Sequence, residues 1–519
     1  MKMKRLVCAM LSLVLMLGCI PALAENVVLN LADDRYGTSE QVVAVTAAAD
    51  VINTVKDGIF GANNGYRGGG YGIYDEASRT FNEDMLEAIR NSGITHIRQP
   101  GGIEGDYFHW YETVGPVEER VAQINPFSSH HPTYAEKDGE PYDVVFGPDE
   151  WIELCNLTGI GLTIQLNAGT GTPQEAADFI RYCLDKGVMI ESIAVGNESC
   201  MEEERVEGIR VTKTPEEYVT FYTEVLACMG EELIAELDEK GIPFGCIGLP
   251  ASHVLSIHRK WDDTVLAGVS VAADFIDIHI GYSPFSVNLH QATEEQIHLT
   301  LLATHTYVKK MLDMEVKTIG KKSPDTMIKM SEFGPLGNSA TCYGTAGSLD
   351  LASFFQTVLN EPKVFSADYL PLTPGNSALI CGTDVTTPGY VFKMYSELIG
   401  RDVLAVTSEN SRTFKAQASG LIPRLLNVPE GDGAVYMNPT TGEGSLILIN
   451  RAYTDNTVFD VTLPYANAKI TKVTELWNED YSLMKVAPAE VACDVQPVDG
   501  KLTVATKPVS LVKIDFVIE

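Results

Sequence analysis

The chain has 519 residues, of which 45% are hydrophobic and 21% are charged, and its net charge is −32. This length and composition are typical of a globular protein with two or three domains and large cores. The acidic excess argues against nucleic acid or an anionic membrane as a partner, because both bind basic surfaces. A neutral partner is favoured.

Residues 1–24 are predicted to be a signal peptide. Basic side chains at the start precede an apolar stretch, and Ala22-Leu23-Ala24 supplies the small residues of a cleavage site. We therefore expect an exported or cell-surface protein that begins at Glu25 and does not insert into a membrane after the signal is removed. Cleavage before Cys19, as in a lipoprotein, is the alternative.

From about residue 51 to 402, short apolar runs alternate with amphipathic stretches. The clearest runs are "THIRQPGG", "GLTIQLNAG", "SIAVGNE", "PFGCIGLPA", "FIDIHIGY" and "MIKMSEFGP". They are apolar on both faces, as in a parallel sheet covered by helices. Thr172 and Thr214 each begin a capping box with a following Pro, which predicts a helix start. Repeated βα units of this number favour a (β/α)8 TIM barrel over a doubly wound sheet.

The pattern changes after residue 402 to alternating strands separated by turn residues, which predict a C-terminal antiparallel β-sandwich. The predicted α/β protein thus has a signal peptide at 1–24, a strand segment at 25–50 that joins the sandwich, a barrel at 51–402 and the sandwich at 403–519. The glycine-rich stretch at 65–72 lacks the spacing of a phosphate-binding loop.

The sequence predicts no metal and no cofactor. Its cysteines beyond the signal are scattered without a C-x-x-C pair, so a zinc ribbon or a thioredoxin-like redox site is not expected, and free thiols are the default. His130-His131 has no third ligand at a regular spacing and is interpreted as part of a loop. No Gly-x-Ser-x-Gly motif indicates a serine hydrolase.

Glu198 and Glu332 follow the fourth and seventh predicted strands, in "VGNES" and "MSEFGP". The carboxyl ends of barrel strands meet on one face, so these residues can lie together. Two carboxyls about 5 Å apart suit retaining glycoside hydrolysis, with one nucleophile and one acid that later acts as a base. Arg98, at the end of the second strand, is a candidate cation that keeps one carboxylate ionised. Either Glu alone could instead be a helix-cap or surface carboxylate.

Several segments resemble one enzyme family. They are "GIFGANNGYRGGGYGIYDE", "IRQPGGIEGDYFHWYETVGPVEER", "NAGTGTPQEAADFIRYC" and "TPGYVFKMY". Together they are similar to the retaining α-L-arabinofuranosidases of glycoside hydrolase family 51, within a clan of barrel glycosidases. The resemblance implies a carbohydrate substrate, the acid/base role for Glu198 and the nucleophile role for Glu332. It also implies a substrate subsite formed by Asn197, which would bond the sugar 2-hydroxyl, and by Arg98, Trp110, His279 and Tyr282.

The chain departs from this family at several positions. Asn63-Asn64 stands where the family has a Glu-His pair, Ile103 stands where it has Asn, and Phe333 replaces the Trp after the nucleophile. Tyr282 is one position later than the family's aromatic residue. These changes do not affect the predicted reaction type, but they leave the identity of the substrate sugar undecided. A xyloside, a galactofuranoside and a uronide are the alternatives. A non-hydrolytic carbohydrate-binding surface protein is the alternative from another class.

Overall fold

A computed structural model gives the structure for residues 27–126, 141–200, 206, 208–248, 255–269, 272–283, 292–335, 343–373, 378–418 and 422–519. The predicted signal peptide, Cys19 and the His130-His131 pair lie outside these described residues. Within them, no helix has both the length and the apolar content needed to cross a bilayer.

Eight parallel strands of the described chain close into a barrel, which confirms the predicted (β/α)8 fold. β6 pairs with β7 and β8 pairs with β1, so the sheet has no free edge. A short continuation of β6, Gly281–Ser283, also pairs with β7. The strands are β1 Gly61–Asn63, β2 His96–Gln99, β3 Gly161–Leu166, β4 Ile190–Val195, β5 Phe244–Ile247, β6 Phe275–Asp277, β7 Met327–Pro335 and β8 Val364–Tyr369.

A helix follows each barrel strand and covers its outer face. Thr172 and Thr214 begin two of these helices with the capping boxes predicted from the sequence, because each threonine hydroxyl accepts the N–H of the Glu three residues later. The helices are α1 Glu83–Ser92, α2 Pro148–Thr158, α3 Pro173–Asp185, α4 Pro215–Lys240, α5 Leu255–Val269, α6 Glu294–Lys322, α7 Thr345–Leu359 and α8 Thr387–Ser396.

A second, ten-stranded sheet forms the β-rich region. Most of its pairings are antiparallel, as predicted, but the two N-terminal strands also run parallel to C-terminal strands. Its strands are Val28–Asn30, Gly37–Thr54, Asp402–Glu409, Gly431–Met437, Glu443–Asn450, Asp455–Thr462, Ala468–Leu476, Ala489–Val491, Lys501–Thr506 and Ser510–Ile518. Thr413–Ala416 and Leu425–Pro429 form a separate hairpin. Two-residue pairs are Tyr74–Asp75 with Thr80–Phe81, Gln123–Ile124 with Pro141–Tyr142, and Ile380–Cys381 with Asp384–Val385.

The barrel and the β-rich region pack directly on each other. Arg451 is fully buried between them, and its guanidinium donates to the Ser353 hydroxyl of α7 at 2.7 Å and to Asp432 of the second sheet at 2.9 Å. A buried charge requires such partners, since an unpaired one is costly. This contact fixes α7, the helix that follows β7, against the second sheet.

The lower interior of the barrel holds a network of charges. Lys329 lies 3.1 Å from both Glu191 and Asp368, and Asp368 is also 2.6 Å from the His96 ring. Burial disfavours the ionised form of Glu191, yet the Lys329 ammonium lowers the pKa of this carboxyl to about 2. A side chain on Gly61 would collide with Asp368 and His96, so glycine is needed where β1 passes this network. The charged layer supports the strand ends above it.

Candidate active site

Glu198 and Glu332 come together at the carboxyl face of the barrel. One carboxylate oxygen of each, together with a ring nitrogen of His279, lie within 4.8 Å of one another. The Glu198 side chain is 16% exposed and that of Glu332 is 8% exposed, so both are sheltered but open to the barrel mouth. The structure therefore forms the carboxylate pair that the two strand ends predicted.

Arg98 of β2 connects three strand ends. Its Nη1 donates to Glu332 Oε1 at 2.8 Å and to Asn63 Oδ1 at 3.0 Å, and its Nη2 donates to Asn197 Oδ1 at 2.8 Å. The side chain is fully buried. Burial alone would lower the pKa of the guanidinium, but Glu332 and other carboxylates raise it. Arg98 is thus a permanent cation beside Glu332.

His279, two residues beyond β6, lies between the two glutamates. Its Nδ1 is 2.9 Å from Glu198 Oε1 and 3.9 Å from Glu332 Oε2, and its Nε2 is 2.9 Å from the Ser331 hydroxyl. Burial would lower the pKa of the imidazole, but the two carboxylates raise it to about 9. The two carboxylates thus favour the imidazolium form, in which Nδ1–H donates to Glu198 and Nε2–H donates to Ser331.

Burial raises the pKa of Glu332 above its usual value, although His279 and Arg98 both act in the opposite direction. The Glu198 carboxylate adds to the increase by repulsion. The sequence predicted one cation near one carboxyl, and the structure brings two cations to Glu332. Both are needed to oppose the desolvation of this side chain.

An extra residue in β7 aims Glu332 at the site. Between Met330 and Phe333 this strand has one residue more than its neighbour β8, which is a β-bulge. Ser331 and Glu332 consequently both reach site residues, although successive strand residues normally point to opposite faces. Phe333 points away and stacks on Phe354 of α7, with ring centroids 3.9 Å apart.

A turn at Gly196 positions Asn197 and Glu198. Gly196 has φ of 91°, and a Cβ there would lie 2.8 Å from the Ala168 side chain, so only glycine fits without strain. The chain leaves β4 at this point and turns across the barrel mouth. The tripeptide Gly-Asn-Glu is thus both a turn and the means of presenting a carboxylate.

Part of the chain is similar in sequence to known proteins. Residues 88–205, which include Arg98 and Glu198, match the family model of the alpha-L-arabinofuranosidase 1 domain. A probable alpha-L-arabinofuranosidase C from Aspergillus fumigatus is 36% identical over 117 residues, which cover 22% of this chain and 21% of that protein. This part of the chain is therefore similar to α-L-arabinofuranosidases. The resemblance predicted from the sequence is confirmed.

Two solved structures share the fold over 92% of the chain. A family 51 α-L-arabinofuranosidase from Bifidobacterium longum has a TM-score of 0.74 at 19% identity, covering 92% of this chain and 100% of that one. An α-L-arabinofuranosidase from Thermotoga maritima has a TM-score of 0.74 at 20% identity, covering 92% and 99%. The sequence match to the Aspergillus protein, in contrast, spans only about a fifth of its length.

Trp110 packs on α3. Its ring stacks on Phe179 with centroids 5.2 Å apart, and its Nε1 donates to the Glu175 carbonyl at 3.0 Å. The strand Gly281–Ser283 places the backbone of Tyr282 beside β7, but its side chain lies outside the described part of the chain. The substrate-binding roles of Trp110 and Tyr282 stay predictions.

The two amides that replace the family's Glu-His pair are occupied by the protein itself. Asn63 accepts from Arg98, and its Nδ2 donates to the carbonyls of Ser331 and Asp368 at 2.6 and 3.2 Å. Sequence reasoning treated Asn63 only as a lost sugar contact and missed its part in holding Arg98. Its position at the end of β1 was the available signal, since all strand ends meet on this face.

Asn64 is engaged in the same way. Its Nδ2 donates to the carbonyls of Gly65 and Gly70, both at 3.2 Å, and its Oδ1 is 3.3 Å from the Thr373 hydroxyl. Ile103, another of the departures, packs in a small apolar cluster with Tyr107, Val206 and Val211. These three side chains are therefore used for structure around the barrel mouth.

Glu198, His279 and Glu332 are the one group of described residues with the spacing of a metal site. His279 Nδ1 lies 2.9 Å from Glu198 Oε1 and 3.9 Å from Glu332 Oε2, and the Arg98 guanidinium lies 2.8 Å from Glu332. A metal ion would add a third positively charged group next to Arg98 and the imidazole of His279.

The seven cysteines of the described chain are free thiols.

Replacing Arg98 by Gln should move the acidic limb of the pH profile of kcat/KM to higher pH. The change removes a cation that lowers the pKa of Glu332, so this carboxyl would take up a proton at a higher pH than in the unmodified protein. Arg35→Gln, at an exposed position in the β-rich region, is the matched control. An unchanged acidic limb would mean that Arg98 has only a structural role.

Proposed function

We propose that the protein is a retaining glycoside hydrolase that acts on α-L-arabinofuranosides in the side chains of polysaccharides or oligosaccharides. The observation that supports this most directly is the Glu198–Glu332 pair, whose nearest oxygens lie within 4.8 Å. Such a distance suits a covalent intermediate, because inverting enzymes keep their carboxyls about 6.5–9.5 Å apart to admit a water. The sequence similarity to arabinofuranosidases supports an α-L-arabinofuranosyl unit as the sugar that is cleaved.

In the first step, Glu332 attacks the anomeric carbon while Glu198 donates a proton to the leaving oxygen. In the second step, Glu198 removes a proton from water, which displaces Glu332 from the sugar. Arg98 and His279 both lower the pKa of Glu332 and so oppose the effect of burial, which favours ionised Glu332 before attack. The hydrogen bond from His279 Nδ1 orients the Glu198 carboxylate, and Asn197 can donate its Nδ2 to a sugar hydroxyl because its Oδ1 faces Arg98.

Glu332→Gln should abolish turnover, because a neutral amide cannot form the glycosyl-enzyme. Glu198→Gln should slow aryl glycosides with poor leaving groups by about a hundredfold or more but affect activated ones far less, since these need little proton assistance. Steady-state kinetics on both classes of aryl glycoside would measure this. Glu475→Gln, in the β-rich region, controls for the loss of a buried carboxylate.

Azide provides an independent check of the same assignment. Added azide should restore the rate of Glu198→Ala and give a glycosyl azide of retained configuration, because the small anion can attack the glycosyl-enzyme without a general base. NMR of the first-formed sugar from the unmodified protein should likewise give retention. An inverted product would contradict the two-step mechanism.

A different furanoside or pentoside is a second candidate substrate. Asn63 and Asn64 use their side chains for protein hydrogen bonds, and Ile103 offers no polar side-chain atom. Fewer groups are then available to bond the hydroxyls of an arabinofuranosyl unit. Losing about 3 kcal/mol of transition-state bonding would lower the rate roughly a hundredfold.

A panel of 4-nitrophenyl furanosides and pyranosides with the same leaving group should separate the two candidates by kcat/KM. We expect the α-L-arabinofuranoside to be hydrolysed, but with an advantage over the best alternative sugar of less than about a hundredfold. A larger advantage would mean that the three departures do not affect specificity. Hydrolysis of another sugar alone would contradict the arabinofuranosidase assignment.

We also propose that the protein is exported. The basic start, the apolar stretch and Ala22-Leu23-Ala24 support this, and an exported enzyme would meet polysaccharide side chains outside the cell. Mass spectrometry of the protein from a bacterial host should give Glu25 as the N terminus, and Cys19→Ser should not change it. A lipid-modified Cys19, abolished by this substitution, would favour the lipoprotein alternative, and an intact Met1 would contradict export.

A further inference from the structure

Asp277 is a buried carboxyl that lies outside the catalytic pair, at the end of β6. It is the last residue of this strand and is 2% exposed. Its carbonyl accepts the N–H of Gly248, just beyond β5, at 2.8 Å. The next residue, Ile278, donates its N–H to the Lys329 carbonyl of β7 at 2.9 Å. The backbone around Asp277 is therefore fixed on both sides by the barrel sheet.

The side chain of Asp277 bonds to the bulge in β7. Its Oδ1 accepts the backbone N–H of Ser331 at 3.0 Å. The pairing between β6 and β7 stops at Asp277 with Lys329 and resumes only at Gly281 with Phe333, so Ser331 lies opposite a gap in the sheet. The carboxylate supplies a buried acceptor for the Ser331 amide at this gap.

Ser331 is held through all three of its polar groups. Its N–H donates to Asp277, its carbonyl accepts from Asn63 Nδ2 at 2.6 Å, and its hydroxyl lies 2.9 Å from His279 Nε2. Glu332 is the next residue, and its backbone nitrogen belongs to the same peptide group as the Ser331 carbonyl. The direction in which the Glu332 side chain leaves β7 therefore depends on how Ser331 is held.

We propose that Asp277 is a positioning residue, which fixes the bulge in β7 through the Ser331 amide and thereby aims the Glu332 carboxylate at the anomeric carbon. This role rests on the proposed function. A buried N–H without an acceptor is costly. Loss of the Asp277 acceptor would therefore favour a different backbone arrangement at the bulge, with Glu332 displaced from its bond to Arg98.

The other carboxylate oxygen of Asp277, Oδ2, makes no hydrogen bond with the described residues. Fold stability alone does not favour a buried carboxylate that is bonded through one oxygen only. Asp277 also acts on the site through its charge. Burial lowers the pKa of His279, the Glu332 and Glu198 carboxylates raise it, and Asp277 adds to this increase. A test of the positioning role must therefore separate the hydrogen bond from the charge.

Asp277→Asn and Asp277→Leu make this separation. Both remove the charge and keep the shape of the side chain, but only Asn retains an acceptor oxygen for the Ser331 N–H. The substrates are two aryl α-L-arabinofuranosides, one with a 2,4-dinitrophenyl and one with a phenyl leaving group. Asp277→Leu should lower kcat/KM by about a hundredfold for both, because a misplaced nucleophile slows every substrate. Asp277→Asn should stay within about fivefold of the unmodified protein.

Asp274→Leu is the matched control. The Asp274 carboxylate likewise accepts a backbone N–H, that of Phe244 at 2.9 Å, but at the opposite end of the barrel strands. This variant should leave kcat/KM within about twofold for both substrates. An equal loss in Asp277→Asn and Asp277→Leu would overturn the positioning role in favour of the charge. A much larger loss on the phenyl substrate would overturn it in favour of an effect on the acid, Glu198.

Hydrogen exchange of the backbone supplies a second readout that needs no activity. The Ser331 amide should exchange at least about tenfold faster in Asp277→Leu than in Asp277→Asn, while the amides of residues 327–330 keep their rates. Faster exchange throughout β7 would overturn the positioning role in favour of a structural one. If Asp277→Leu does not fold, Asp277→Ala gives the same comparison.

The two readouts also distinguish this proposal from the proposed function. If the unmodified protein hydrolyses no glycoside, the proposed function fails, whereas the exchange of the Ser331 amide still tests the contact with Asp277. Unchanged exchange in Asp277→Leu would overturn that contact whatever the activity. Faster exchange with an unchanged kcat/KM would show that the contact does not position Glu332, and would overturn the proposal.

Discussion

The guanidinium of Arg98 is the cation around which the barrel mouth is arranged. It is fully buried, and its three hydrogen bonds go to residues at the ends of β1, β4 and β7. A buried cation without such partners would destabilise the fold by several kcal/mol, roughly 3–5 for a broken buried pair. The same bonds that satisfy the charge therefore fix the relative positions of Asn197 and Glu332. The three hydrogen bonds of Arg98 thus contribute both to the stability of the fold and to the geometry of the site.

A second group of paired charges lies deeper in the barrel, further from the mouth than Arg98. Below Arg98, the Lys329 ammonium pairs with Glu191 and Asp368, so the interior holds charges of both signs in two layers. Asn63 joins the two layers, because it accepts from the Arg98 guanidinium and donates to the backbone carbonyl of Asp368. The asparagines and the serine around Glu332 belong to the same framework.

The sequence was sufficient for the barrel and for the carboxylate pair, because both depend on local signals. Apolar runs, capping boxes at Thr172 and Thr214, and glutamates at strand ends are all readable along the chain. The bulge before Phe333 has no such signal, since one extra strand residue becomes visible only against β8. The same holds for Asn63, whose Nδ2 donates to the carbonyls of Ser331 and Asp368, which are hundreds of residues away in the sequence.

The strand Gly37–Thr54 lies inside the second sheet, between Asp402–Glu409 and Asp455–Thr462. A ribosome makes this strand before any part of the barrel, and both of its neighbours emerge only after the barrel is complete. Its backbone groups therefore have no native partners during most of synthesis, and this part of the sheet cannot form until the C-terminal strands have been made. Premature termination anywhere in the C-terminal region would leave an unpaired strand edge, so shortened chains should aggregate rather than yield a working barrel.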